Sequence, residues 1–176
     1  YSPDMEHRRL GRTGLWISAV SMGGHWKKIP YKRGTPEFKR NRREVIHAAL
    51  DHGVNFIDAC CQPEVETYAE ALGNRRKDIY FGCDWTLARK PEIVGSAKRL
   101  LEGLDEALLS TGLDYVDVWR LTLREMTTQN NWLELEATME AFETAKRQGK
   151  ARFTGFSTHH RPWIAKAVAR YKDFDV

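Results

Sequence analysis

Short apolar runs rich in β-branched and aromatic residues alternate with longer stretches of helical period along this chain. Strand-like runs lie at residues 17–22, 54–59, 78–83, 115–121 and 152–156, each flanked by Gly, Asp or Asn. Between the first two, Thr35 reads as an N-cap with Pro36 at the first helical position, and Val45, Ile46, Ala49 and Leu50 share a face before Gly53 stops the helix. Val65, Tyr68, Ala69 and Leu72 repeat the period before Gly73. Ile93, Ala97, Leu100, Leu101, Leu104 and Leu108 make the longest apolar stripe, ending at Gly112. Leu135, Met139, Phe142 and Ala145 make another that ends at Gly149, and a last helix is predicted over 161–171. The pattern is β, α, β, α throughout.

Such alternation requires parallel strands joined by right-handed helical crossovers, so the sheet is either doubly wound or curled into a barrel. The turn after the first strand reads SMGGHW, which lacks the G-x-G-x-x-G of a dinucleotide-binding doubly wound sheet. The expected class is therefore α/β, of the (β/α)8 TIM-barrel type, in one domain over 1–176. HRRLGRTGLWIS, with its Gly-x-x-Gly turn, predicts a small hairpin before the barrel. A complete barrel takes about 250 residues, whereas about five β/α units are readable here, and Phe174-Asp175-Val176 reads as a sixth strand just begun. A parallel sheet ending there leaves unpaired edges. The expectation is an incomplete barrel that either belongs to a longer chain or closes by association as a homodimer.

Composition narrows the class without naming a chemistry. With 41% apolar and 30% charged residues, the chain has the make-up of a globular domain. Its 28 Lys and Arg against 24 Asp and Glu give only +4, too mild to predict a nucleic-acid partner without a clustered basic face. No apolar run approaches the roughly 20 residues of a membrane helix, and the start YSPDMEHRR is no signal-peptide core. A cytoplasmic chain with no membrane partner is expected. Three cysteines, two of them adjacent at Cys60 and Cys61, fit neither a disulfide framework nor a zinc pattern and are expected to be reduced. The loop after the first strand is basic (Lys27, Lys28, Lys32, Arg33, Lys39, Arg40, Arg42, Arg43), but Glu37 and Glu44 interrupt it, as in a solvated face.

Side chains alternate along a strand, so Asp58 shares its inward face with Phe56 and Cys60, Asp84 with Gly82, and Thr122 with Arg120 and Val118. Asp58, Asp84 and Arg120 thus fall on three neighbouring strands near one barrel end. Two carboxylates so placed repel unless a cation intervenes, and Arg120 is the available one. Either these groups simply satisfy one another, or they line a polar pocket for a small molecule bearing a cation or hydroxyls. His25, Cys60, Cys61, Cys83, His159 and His160 also fall near strand carboxyl ends, where barrel sites gather. None shows a dedicated ligand spacing, so no metal is expected.

The strings RRLGRTGLWISAVSMGGHW, VNFIDA, LDYVDVWRL and QGKARFTGFST, in that order and spacing, resemble the aldo-keto reductase family over essentially the whole chain. The resemblance implies a barrel with an N-terminal hairpin and a nicotinamide cofactor, NADP, across its C-terminal mouth. It also implies four mouth side chains: an Asp after strand two, a proton-donating Tyr a few residues on, a Lys ending strand three and a His ending strand four. Lys beside the phenol favours the phenolate, Asp pairs with Lys, and His orients the carbonyl. Only Asp58, in FIDAC, matches. The Tyr register falls on Pro63 in a loop shorter than the family's, the Lys register on Asp84 and the His register on Thr122. Tyr68, on the following helix, reads as a packing residue rather than a substitute donor. Gly24 and His25, with Ser157 and Thr158, stand at the family's cofactor contacts. Thr158 lacks the paired donor and acceptor of the Asn often found there. The pyrophosphate and adenosine contacts belong to later loops, so tight NADP binding by these residues alone is not expected. The resemblance therefore implies a binding or repurposed member without carbonyl reduction. The competing expectation is an NAD(P)H-dependent carbonyl oxidoreductase completed by segments outside this sequence.

Overall fold

The computed structural model describes residues 3–26, 29–85, 95–122, 131–158 and 161–176. Strands β1 (His7–Arg9) and β2 (Trp16–Ser18) form the expected antiparallel hairpin, with Arg8 opposite Ile17. Its turn is held by the Thr13 hydroxyl, which donates to the Leu10 carbonyl at 2.6 Å, and by the Leu15 amide, which donates to Thr13 Oγ1.

The first predicted strand, 17–22, is two pieces. Residues up to Ser18 belong to the hairpin, and only β3 (Met22–Gly23) joins the barrel sheet. The cause is a polar latch that hydrophobic pattern does not encode. The Ser18 amide donates to Asn55 Oδ1 at 2.7 Å, the Asn55 amide donates back to Ser18 Oγ, and Ser18 Oγ donates to the Val20 carbonyl, which turns the chain between the two pieces.

Helix α1 (Pro36–Asp51) starts at Thr35, whose hydroxyl accepts from the Phe38 amide at 3.3 Å. Of the expected face, Ile46 and Leu50 are buried and Ala49 is half-buried, but Val45 is exposed, and Phe38 and Arg42 complete the buried side. Residues 39–43 of the basic stretch therefore lie on a helix, not a loop. Lys39 pairs with Glu70 at 2.7 Å, and the buried Arg42 guanidinium lies over the Trp26 ring. Lys27 and Lys28 lie outside the described residues.

Strand β4 (Phe56–Ala59) leads into α2 (Gln62–Leu72), and a 3-10 turn over Gly73–Asp78 shortens the third predicted strand to β5 (Tyr80–Cys83). Helix α3 (Ala97–Thr111) is capped by Ser96 and stopped by Gly112 in the left-handed region, where a glycine carries no Cβ penalty. Ile93, expected in its stripe, lies outside the described residues. Strand β6 (Val116–Thr122), α4 (Asn131–Arg147), β7 (Ala151–Ser157) and α5 (Arg161–Arg170) follow. Leu135, Met139, Phe142 and Ala145 are all buried, as the period predicts. Residues 174–176 run beside β7 without forming a strand. The Asp175 amide donates to the Thr154 carbonyl, and Phe174 packs edge-on against Phe156 at 4.2 Å.

The sheet order is β3-β4-β5-β6-β7, all parallel. Register pairs Ile57 with Phe81, Cys83 with Trp119 and Leu121 with Phe156, so these side chains share one face. Tyr68 of α2 meets Phe81, Phe142 of α4 meets Trp119, and Trp163 of α5 meets Phe156 on that face. Among the described residues the helices pack on this face, as in a barrel wall, whereas a doubly wound sheet is covered on both. The fold is of the (β/α)8 barrel type, represented here by the hairpin and five barrel strands. The opposite face holds Asp58, Gly82, Arg120 and Ser157, and at the strands' carboxyl ends it becomes polar.

Candidate functional site

Four strands deliver the inward groups. Asp58 sits on β4 opposite Gly82 of β5, which has no side chain to separate Asp58 from the next strand, and Arg120 on β6 reaches across that gap. Arg120 Nε donates to Asp58 Oδ1 at 3.0 Å, and Nη1 stands 3.5 Å from Asp84 Oδ2. Nη1 also donates to Ser157 Oγ at 2.7 Å and to Thr122 Oγ1 at 3.1 Å. Thr122 and Ser157 are register partners on β6 and β7, 3.2 Å apart, and the Thr122 hydroxyl donates to the Asp84 carboxylate. The Asp84 amide continues the parallel ladder beyond β5 by donating to the Ala59 carbonyl.

Exposure divides the two acids. The Asp84 side chain is 1% exposed and that of Arg120 14%, whereas Asp58 is 40% exposed. Asp84 is thus a buried acid paired with Arg120, and Asp58 is half-exposed although the register, Asp58 opposite Gly82, sets Asp84 two residues nearer the strands' carboxyl ends. The cluster offers an accessible acceptor backed by two hydroxyls and a fixed guanidinium. That arrangement can bind a cation or several hydroxyl groups, and its guanidinium does not give up its proton in proteins.

Tyr68 takes the packing role expected of it. Its side chain is fully buried between Trp26 and Phe81, and its phenol donates to the Gly23 carbonyl at 2.5 Å. Burial pushes that phenol above its usual range, away from general-acid use near neutral pH.

The first loop brings together groups that linear spacing separates. His25 Nδ1 stands 3.3 Å from Glu64 Oε1 and 3.4 Å from Cys60 Sγ. Glu64 Oε2 accepts from the Cys60 amide at 2.9 Å, in the first turn of α2. A Cβ at Gly24 would overlap the Glu64 carboxyl group, so glycine there leaves that carboxyl group its place. Burial and the neighbouring Glu64 push the Cys60 thiol up to about 12. Glu64 went unread in the sequence, although Pro63-Glu64 after Cys61 is a helix-start signature with an acid at the third position. Cys83 ends β5 as expected, but its side chain is fully buried on the helix-covered face, and burial raises its pKa. Thr158 follows Ser157 at the end of β7. His159 and His160 lie outside the described residues.

Pro63 lies in the first turn of α2, Asp84 is a buried carboxylate that accepts from the Thr122 hydroxyl, and the Ser157 hydroxyl accepts from Arg120. Among the described residues, no helix is long and apolar enough to cross a membrane.

A family model described as Aldo/keto reductase family matches residues 21–176. An uncharacterized oxidoreductase of Bacillus subtilis is 27% identical over 175 residues, covering 94% of this chain and 53% of that protein. A protein of Arabidopsis thaliana named "Probable voltage-gated potassium channel subunit beta" is 27% identical over 178 residues, covering 93% and 48%. Among solved structures, the holo form of an aldo-keto reductase from Bacillus halodurans superposes with a TM-score of 0.71 at 21% identity, over 98% of this chain and 55% of that one. The chain spans about half the length of the curated relatives it matches.

Proposed function

The chain belongs to the aldo/keto reductase family, and from that premise we propose that its mouth binds a polar small molecule and no longer reduces carbonyls. The observation that carries this reading is the guanidinium of Arg120, clamped by Asp58 and Asp84 where the family resemblance calls for an ammonium beside a phenol. Hydride delivery to a carbonyl leaves an alkoxide that needs a proton from a positioned acid. Pro63, Asp84 and Thr122 supply neither the phenol nor the cation that activates it, and the Tyr68 phenol is bound to the Gly23 carbonyl. The half-exposed Asp58, with Ser157 and Thr122 behind it, selects ligands carrying a cation or vicinal hydroxyls. A relative named as a potassium channel β subunit supports a binding or subunit role within the family.

A second reading has support in the oxidoreductase relative and in Ser157 at the end of β7. On it, the protein is an NAD(P)H-dependent carbonyl reductase, with cofactor loops and proton donor lying outside this sequence. One experiment separates the two. NADPH fluorescence is titrated with the protein, and NADPH consumption is followed with a panel of aldehydes and ketones. The binding reading expects no turnover and no saturation in the micromolar range. Saturable micromolar binding with carbonyl-dependent oxidation would establish the reductase instead.

A further inference from the structure

The His25, Cys60 and Glu64 side chains come from three places, the loop after β3, the end of β4 and the first turn of α2. Their ligand atoms nevertheless all lie within 4.8 Å of one another. A tetrahedral zinc has bonds of about 2.0 Å to nitrogen and oxygen and about 2.3 Å to sulfur, which puts the N–O edge at about 3.3 Å and the N–S edge at about 3.5 Å. The observed edges are 3.3 Å from His25 Nδ1 to Glu64 Oε1 and 3.4 Å from Nδ1 to Cys60 Sγ. One nitrogen faces both partners at the spacing of a shared ion.

The surroundings favour a cation. The Glu64 side chain is only 4% exposed, and an ionised carboxylate is buried at a cost unless it is paired or coordinates a metal. Its Oε2 is fixed by the Cys60 amide, which leaves Oε1 turned toward His25. Gly24 makes room for this carboxyl group. An outer-shell hydrogen bond of this kind orients a ligating carboxylate.

We propose that His25, Cys60 and Glu64 form a three-ligand site for a soft divalent cation of the zinc class, with its fourth position open. The mixture of thiolate, imidazole and carboxylate suits zinc better than calcium or magnesium, which take oxygen ligands. Three protein ligands with one open position leave room for water or an exogenous donor. His25 is 73% exposed, so that position faces solvent at the barrel mouth. The site does not depend on whether the mouth reduces carbonyls.

Cobalt(II) is the probe, because it takes tetrahedral zinc sites and reports on them by absorption. Titration of the reduced full chain should give one equivalent of bound Co2+, a near-ultraviolet thiolate-to-cobalt band and tetrahedral visible bands, all displaced by Zn2+. His25→Ala, at an exposed position, and Cys60→Ser should each weaken binding more than the roughly 10 to 100-fold typical of outer-shell changes. Cys61→Ser should leave it unchanged. Circular dichroism confirms that each variant is folded. Absence of saturable binding would overturn the site, as would a thiolate band that survives Cys60→Ser or an affinity indifferent to His25→Ala.

Discussion

Replacing Arg120 by Met keeps most of the aliphatic stem and removes the charge, so it tests whether the mouth cluster is one coupled unit. The buried Asp84, 1% exposed, then loses the Arg120 guanidinium, and breaking a buried pair by removing one partner costs about 3–5 kcal/mol. That is a large share of the roughly 5–15 kcal/mol by which domains are stable. In an Asp84→Asn background the same change strands no buried charge. What is lost there is the pairing with Asp58, worth at most about 1 kcal/mol for a group 40% exposed, and hydroxyl hydrogen bonds worth about 1 kcal/mol each. The expected Arg120–Asp84 coupling in a double-mutant cycle is therefore about 1–2 kcal/mol. The Arg120–Asp58 coupling should stay below about 1 kcal/mol and shrink as salt is raised, because only the exposed pair is screened. Urea unfolding of the parent, both single variants and the double variant at neutral pH supplies the midpoints and slopes. An Arg120–Asp84 coupling within about 0.5 kcal/mol of zero, the ordinary limit of additivity, would refute the reasoning.

Asp117 is buried and accepts from the Phe81 amide, Arg76 and Arg152. Asp117→Ala leaves the buried Phe81 amide without its acceptor and should cost about 1–3 kcal/mol in urea unfolding, against less than about 1 kcal/mol for Glu70→Ala at the exposed Lys39 pair. Cys83 and Tyr68 both have folded pKa values raised by burial, so above their unfolded values of about 8.5 and 10 the unfolded state releases protons that the folded state keeps. Stability should accordingly fall as pH rises through 9 and fall more steeply above 10. Cys83→Ala should flatten the first part of that decline, and an unchanged slope between about pH 8.5 and 10 would contradict the assignment. Restoring two family positions with Asp84→Lys and Thr122→His should still give no carbonyl-dependent NADPH oxidation, since Pro63 supplies no phenol; measurable turnover would show that the proton donor lies elsewhere.

Periodicity carried the sequence to parallel strands with helical crossovers, and the missing G-x-G-x-x-G together with the family resemblance selected the barrel. Alternation of five apolar runs with helical stripes requires parallel strands and crossovers, and the Leu135, Met139, Phe142, Ala145 stripe faces the core as its spacing demands. Strand alternation likewise puts Asp58, Asp84 and Arg120 on one inward face, because a period of two survives whatever the sheet's curvature. Tertiary structure decided what local pattern cannot hold. The Ser18–Asn55 latch that divides the first run joins residues 37 apart, and α1 buries Arg42 and exposes Val45 because the Trp26 ring and α2 determine which side is covered. The His25, Cys60 and Glu64 cluster shows the same limit most sharply. Side chains 35 residues apart meet there only because β3 and β4 are parallel neighbours and α2 begins at their end, so sequence distance carries no signal of the contact.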